Sequence, residues 1–573
     1  MRPATLKLWH WIVAITAIAL YSVLSLHLTG TLAPWTKLGD DLGLVRTAPT
    51  PALAALRNNL SQLASRTNVA PAYAEDLAAT TAFYGAHSGP LLWVTESGFS
   101  ERGNLVIAEI RRADDWGLRA RDFALPQLPA GTISPEAAAA AESQLTLAVL
   151  KYARYARGGR FSDPSSISKL LDYTPPVRRP KDVLTDIAAS NAPDAYLRSL
   201  HPQHEQFEGL RRLLLKLRGR GAGDGEIAYG EKRLMAWSQL ARSAVLGSDA
   251  SSSAEPGRES ADRAVLVGRI LVNMERWRWL PADLGDFYVW NNVPEFLTRV
   301  VKKGETIHSD RVVVGQPEWG TPSFSADMKM IVFHPSWGVP DGIKRKELLP
   351  LLRNSSRGDF FALFTGAQSS RTVLEQQQLQ VYYQGRPIDA NQVDWSAVNI
   401  GAYEFRQPPG PTNVLGAIKF MFPNKHDVYM HDTPERDLFA RSFRGLSHGC
   451  MRVADPLRLA AVLLAQDKGW SEQQVGSLLS GGTREVELTT RIPVHVTYFT
   501  AMVDRQGNLR TLGDLYGLDT RMGASLFAGK VPFVTPRYDD EIRAMRARQR
   551  VADPSGAPTR STLADAIADI FSP

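Results

Sequence analysis

The sequence predicts an α+β protein, helical through its first half, β-rich through its second and tethered at its N-terminus. Three observations predict it. Before about residue 280, apolar residues recur at helical spacing between Pro, Gly and Ser boundaries. After Pro281 the texture changes to short β-branched and aromatic runs such as "DFYVWNN", "EFLTRVV" and "MKMIVFHPSW", separated by Gly, Pro and Asn turns. At the start, Arg2 and Lys7 precede an apolar run from Leu8 to Leu26.

At 573 residues the chain can bury more than one core, so several domains are expected. The net charge of +7 comes from scattered Lys and Arg with no long basic block and no nucleic-acid-binding motif, so a nucleic-acid partner is not expected.

Taken in order, the segments read as follows. Residues 1–30 read as a signal anchor, with a cleaved signal releasing the chain to the periplasm as the alternative: the apolar run is just long enough to cross a bilayer. The positive charge before it predicts export of the rest of the chain, and no Ala-x-Ala cleavage site follows. Residues 31–84 read as linker, partly helical. Residues 85–246 read as a helical domain, with a pattern around Leu105–Arg112. A long Ala-rich helix follows, capped by Ser134 and stopped at Gly158-Gly159. Shorter helices are expected at 180–189, 194–200 and 205–218. Residues 247–262 form a flexible Ser-rich linker. The next helix carries Val267, Ile270, Met274 and Trp277 on one face. Residues 263–530 make the β-rich domain, interrupted at 338–408 by an insert with its own helix and two strand-like runs. A single closing strand is expected at "VHVTYFTAMVD", and residues 531–573 form a tail.

Chemistry concentrates around Cys450, the only cysteine in the chain. In an exported protein structural cysteines normally pair, so a lone one is either buried packing or a reactive thiol. In "DVYMH", Tyr429 and His431 alternate with Val428 and Met430; in "CMRV", Cys450 and Arg452 alternate with Met451 and Val453. Two such strands present a base, a thiol and a cation to one cleft while their apolar sides face the core. That set suits a cysteine nucleophile, with Gly449 letting backbone approach a substrate carbonyl. Two alternatives stand beside it: a buried thiol, and a zinc site drawn from His426, His431, His448 and Cys450, for which no familiar ligand spacing is present.

His431, then 15 residues, then Ser447-His448-Gly449-Cys450-Met451-Arg452-Val453 resembles the signature of the L,D-transpeptidases, the YkuD-type catalytic domain. "NMERWRWLP", "YVWNNVPEF" and "HDTPERDLF" are similar to the large Gram-negative members, 85–218 resembles their helical scaffold domain, and 338–408 matches the position of their capping subdomain. Those relatives carry a peptidoglycan-binding module that residues 219–262 do not resemble.

The resemblance implies Cys450 as nucleophile, His431 as general base and later acid, and Asp432 orienting His431 through its carbonyl. Gly449 and Cys450 would supply oxyanion N–H groups, His448 would line the site, and Arg452 would meet a substrate carboxylate. Ser447, Tyr429 and Asn424 would form the substrate wall. The implied substrates are the stem peptides of peptidoglycan, with no cofactor or metal. A third-residue acyl group would pass to a stem, a D-amino acid or a lipoprotein acceptor, other cell-wall enzymes being possible partners. The implied place is the periplasm, at the inner membrane, and carbapenems look like its acyl donors. The same residues would also serve a thiol hydrolase, or stand idle in a wall-binding scaffold.

Overall fold

A computed structural model of the chain describes residues 49–67, 69–219, 256–355, 370–504 and 506–528. The expected anchor at 1–30 and tail at 531–573 lie outside the described residues. Among the described residues no helix is long and apolar enough to cross a membrane. The described residues divide into two compact units, one drawn from those up to 113, 119–153 and 179–198, the other from 114–118, 154–178 and those from 199 on.

The first unit is helical: α1 (Pro51–Ala64), α2 (Pro71–Ala86), α3 (Glu101–Arg111), the body of α4 (Pro135–Gly158), α5 (Pro180–Ala189) and α6 (Pro193–Ser199). Five of the six open on proline, whose missing N–H and fixed φ suit a first turn. Ser100 caps α3 by accepting from the Gly103 N–H, so this helix starts earlier than its apolar pattern suggested. Leu53, Leu56 and Leu60 of α1 pack with Leu77 and Tyr84 of α2 and Ala139 of α4. In the sequence that stripe is diluted by Ala, Thr and Asn, which is why the region reads as partly linker.

In the second unit, α7 (Glu205–Arg218) packs on α8 (Pro256–Trp277), burying Phe207, Leu210 and Leu214 with Val267, Ile270, Met274 and Trp277. The backbone of α8 begins at Pro256, inside the segment expected to be a flexible linker up to 262. The proline suits a first helical turn, and Arg258, Glu259, Ala261 and Arg263 are adequate helix formers.

Nine strands follow: β1 (Phe287–Asn292), β2 (Leu297–Lys302), β3 (Glu305–Gly315), β4 (Phe324–Phe333), β5 (Ile418–Met421), β6 (Met430–His431), β7 (Gly445–Ser447), β8 (Met451–Val453) and β9 (Arg484–Thr497). They form one sheet in the order β7-β3-β8-β6-β5-β4-β9-β1-β2, and β2 pairs back onto β3, so the sheet closes on itself. Its inward positions, among them Val289, Val312, Ile331, Phe333, Ile418, Phe420, Met430, Met451 and Val494, make one core with Leu459, Leu463 and Leu464 of α9 (Pro456–Lys468).

The expected final strand is broken. Beyond Thr497 the chain leaves the ladder, and Ala501–Val503 pairs with Leu509–Thr511 instead. At the break the Thr500 N–H donates to Asn273 Oδ1 (2.9 Å) and its hydroxyl donates to Asp519, so side chains replace ladder partners.

The insert lies between β4 and β5, which are antiparallel neighbours with Phe333 opposite Ile418. It has its own four-stranded sheet, running 337–338, 403–407, 380–383, 386–387 in order. A separate core of Leu348, Leu352, Trp395, Ile400 and Phe405 supports it.

Candidate active site

Local sequence decides which side chains face out. Met430, Met451 and Val453 are fully buried, and by strand alternation this sends Tyr429, His431, Cys450 and Arg452 to the other face. Pairing then brings them together. β6 and β8 are parallel neighbours with His431 opposite Arg452, and the Met451 N–H donates to the Tyr429 carbonyl. Cys450 therefore sits beside Tyr429. The Cys450 Sγ also lies 3.7 Å from the Asp427 carbonyl, and the residue remains partly open to solvent.

His431 Nδ1 is 2.5 Å from the Asp432 carbonyl. A carbonyl only accepts, so Nδ1 carries the proton and Nε2 keeps its lone pair. The Asp432 carboxylate is itself fixed: Oδ2 accepts from the Ala417 N–H (2.7 Å), and Oδ1 accepts from the Thr433 N–H (2.7 Å) and from Arg436 (2.5 Å). Gly416 stands against this carboxylate at φ +59°, and a Cβ there would collide with it.

The approach to the thiol is held just as firmly. Ser447 Oγ donates to the Cys450 carbonyl (2.6 Å) and accepts the Gly449 N–H (3.2 Å). Thr321 donates to the Gly449 carbonyl (2.7 Å). Gly449 adopts φ +112°, a region that only glycine enters freely. Ser447 thus holds its own turn rather than facing a substrate, and the Gly449 N–H, expected to meet an oxyanion, is turned to Ser447. Asn424 likewise bonds within its own turn, to the backbone of Phe422, His426 and Val428.

Electrostatics give a neutral pair at rest. Burial, then the Arg452 and Lys419 charges, push the His431 pKa down to about 3, against a raising effect of the Asp432 carbonyl. Burial raises the Cys450 pKa, while hydrogen bonds from Tyr429 and the Lys419 charge work to lower it. Desolvation penalises both ions of a Cys–His pair and outweighs their neighbours here.

Of the four potential zinc ligands, His426 pairs with Asp172 (2.7 Å) and His448 with Glu347 (2.7 Å). Among the described residues no three His, Cys, Asp or Glu side chains gather as a metal site would. The Arg452 guanidinium pairs with Glu435.

Two groups escape a reading of the sequence. Lys419 on β5 stands opposite His431, its ammonium 3.9 Å from the centre of the Tyr429 ring. Glu347, from the insert, reaches His448, while its neighbour Lys346 lies 4.0 Å from the ring of Trp319, which itself packs on His448. The alternation in "AIKFMFPN" marks Lys419 as facing away from Ile418 and Phe420; nothing local names its partner strand.

Comparisons with known proteins agree in kind. Residues 286–486 match the family model described as the L,D-transpeptidase catalytic domain, YkuD, and residues 78–214 match one described as a scaffold domain. A Haemophilus influenzae protein named as a candidate L,D-transpeptidase is 30% identical over 261 residues, 45% of this chain and 49% of that protein. The chain thus spans about half the length of the curated relative it matches. A solved L,D-transpeptidase from Mycobacterium smegmatis aligns over 37% of this chain and 58% of its own at 11% identity, with a TM-score of 0.16, too slight a likeness to carry an argument.

Proposed function

We propose that this chain, which carries a YkuD-type L,D-transpeptidase catalytic domain, is a peptidoglycan L,D-transpeptidase with Cys450 as nucleophile. The observation that carries the reading is the pairing of β6 with β8. It sets Cys450 beside Tyr429 and His431 beside Arg452, with the His431 proton fixed on Nδ1.

In this mechanism His431 Nε2 takes the thiol proton as Sγ attacks the carbonyl of the third residue of a tetrapeptide stem. The S–C bond forms, and the Cys450 N–H meets the oxyanion. Collapse breaks the C–N bond to the terminal D-Ala, whose amine leaves with the proton held by His431. An acceptor amine then attacks the thioester and gives its proton to His431, which returns one to the sulfur. A diaminopimelate side chain, a D-amino acid or a lipoprotein lysine all fit as acceptor. Arg452, exchanging Glu435 for a stem carboxylate, would hold the donor. The insert, reaching His448 through Glu347, would limit the water that competes for the thioester. The reaction takes place in the periplasm, the apolar run at 8–26 serving as inner-membrane tether.

The test is incubation of the purified full chain with tetrapeptide muropeptides, followed by mass spectrometry. Cross-linked dimers that have lost D-Ala support the reading. Tripeptide monomers alone make the protein a hydrolase, and unchanged substrate with intact fold refutes both.

A further inference from the structure

We propose that Lys419 is the cation that stabilises the Cys450 thiolate, a positioning role in the reaction proposed above. The role needs a positive charge near the sulfur, and the two groups of the motif that would supply one are occupied. His431 turns Nδ1 to the Asp432 carbonyl, and burial disfavours its charged form. Arg452 is already paired with Glu435.

Lys419 is placed differently. The strand registers set Arg452, His431, Lys419, Val332 and Glu485 in one row across β8, β6, β5, β4 and β9. Tyr429 and Cys450 lie beside this row, one alternation back along β6 and β8. From that row the Lys419 ammonium sits over the Tyr429 ring at 3.9 Å, and Tyr429 is the neighbour of Cys450 across the β6–β8 pairing. A cation on the ring face draws electron density from the phenol, so its O–H becomes a better donor to a sulfur that is acquiring charge. The Lys419 charge also acts on Cys450 directly through space.

The charged and titratable groups around this pair are Tyr429, His431 and Asp427 on and before β6, Arg452 on β8 and Glu485 on β9. The carboxylates Asp427 and Glu485 help keep Lys419 charged against its own burial. The phenol of Tyr429 is pushed well above its ordinary pKa by burial, so it stays protonated and able to donate.

The experiment uses the single thiol of the full chain. The rate of Cys450 alkylation by iodoacetamide is followed against pH for the wild type, K419M, K419Q and K419R. The inference expects both neutral variants to move the midpoint up by about one unit, slowing alkylation near neutral pH about tenfold, with K419R close to wild type. Two neutral variants of different shape keep the test alive should one fail to fold. A wild-type midpoint in K419M or K419Q overturns the inference, and so does an equal shift in K419R, which would make shape rather than charge the cause. Turnover of tetrapeptide by Cys450→Ala would instead overturn the proposed function, whatever the alkylation shows.

Discussion

Two buried acid–base centres, one in each unit, repay comparison. In the helical unit, Glu142 of α4 is fully buried, and its carboxylate accepts from the Tyr84 hydroxyl (2.5 Å) and the N–H groups of Leu92 (2.6 Å) and Trp93 (2.9 Å). Burial lifts its pKa to about 7 in spite of those bonds. In the β unit, burial drives His431 the other way, to about 3. Both shifts have the same main cause, and both groups have a polar partner. They differ in their neighbours. Glu142 is enclosed by donors that tie α2, α4 and the 92–93 backbone together, whereas His431 shares a strand face with a partly open thiol. A perturbed pKa marks burial; it marks chemistry only where a reactive atom stands beside it.

The sharpest break of that contrast is Cys450→Ala. Turnover of tetrapeptide should fall by more than about a thousandfold while the melting temperature stays near wild type, because a partly exposed side chain on one strand is lost. Retained turnover would place His431 in the same structural class as Glu142.

The next test sets the two pH dependences against each other. The folded pKa of Glu142 is raised, so its contribution to stability is complete below about 4.5 and declines as pH rises through about 7, by about 3 kcal/mol at most. The folded pKa of His431 is depressed, so its contribution is complete above about 6.5 and declines as pH falls toward about 3. Hydrogen exchange should therefore quicken with rising pH, beyond its intrinsic trend, in peptides covering 91–95, and with falling pH in peptides covering 429–433. Glu142→Gln should flatten only the first. Matching slopes in both regions would erase the distinction.

A smaller effect is expected at the support of His431. Gly416→Ala forces a side chain into a left-handed backbone position and against the Asp432 carboxylate, for a cost of about 1–3 kcal/mol in thermal or denaturant unfolding. It should also lower kcat more than it raises KM, since the group displaced orients the base. Equal effects on both would mean that Asp432 does not set the His431 orientation. Smallest is Glu347→Gln, which weakens a hydrogen bond between half-exposed side chains, a contact worth at most about 1 kcal/mol. Tetrapeptide turnover should change by less than about fivefold, with the transfer-to-hydrolysis ratio the more sensitive measure.

What the sequence by itself determined is local. Alternation in 428–431 and 450–453 assigned Met430, Met451 and Val453 to the core and Tyr429, His431, Cys450 and Arg452 to the opposite face, because side-chain direction along a strand is set by the backbone alone. Proline and capping residues likewise marked the starts of α4 and α5, since a first helical turn is chosen by neighbours a few residues away. Tertiary structure decided everything that depends on register and desolvation. Lys419 stands opposite His431 only because β5 pairs antiparallel with β6. Glu347 reaches His448 only because the insert folds on its own core. Ser447 and Asn424 were taken up by their own turns. The resting state of the thiol followed burial, which opposes both ions of a Cys–His pair and which no spacing of residues along a chain can reveal.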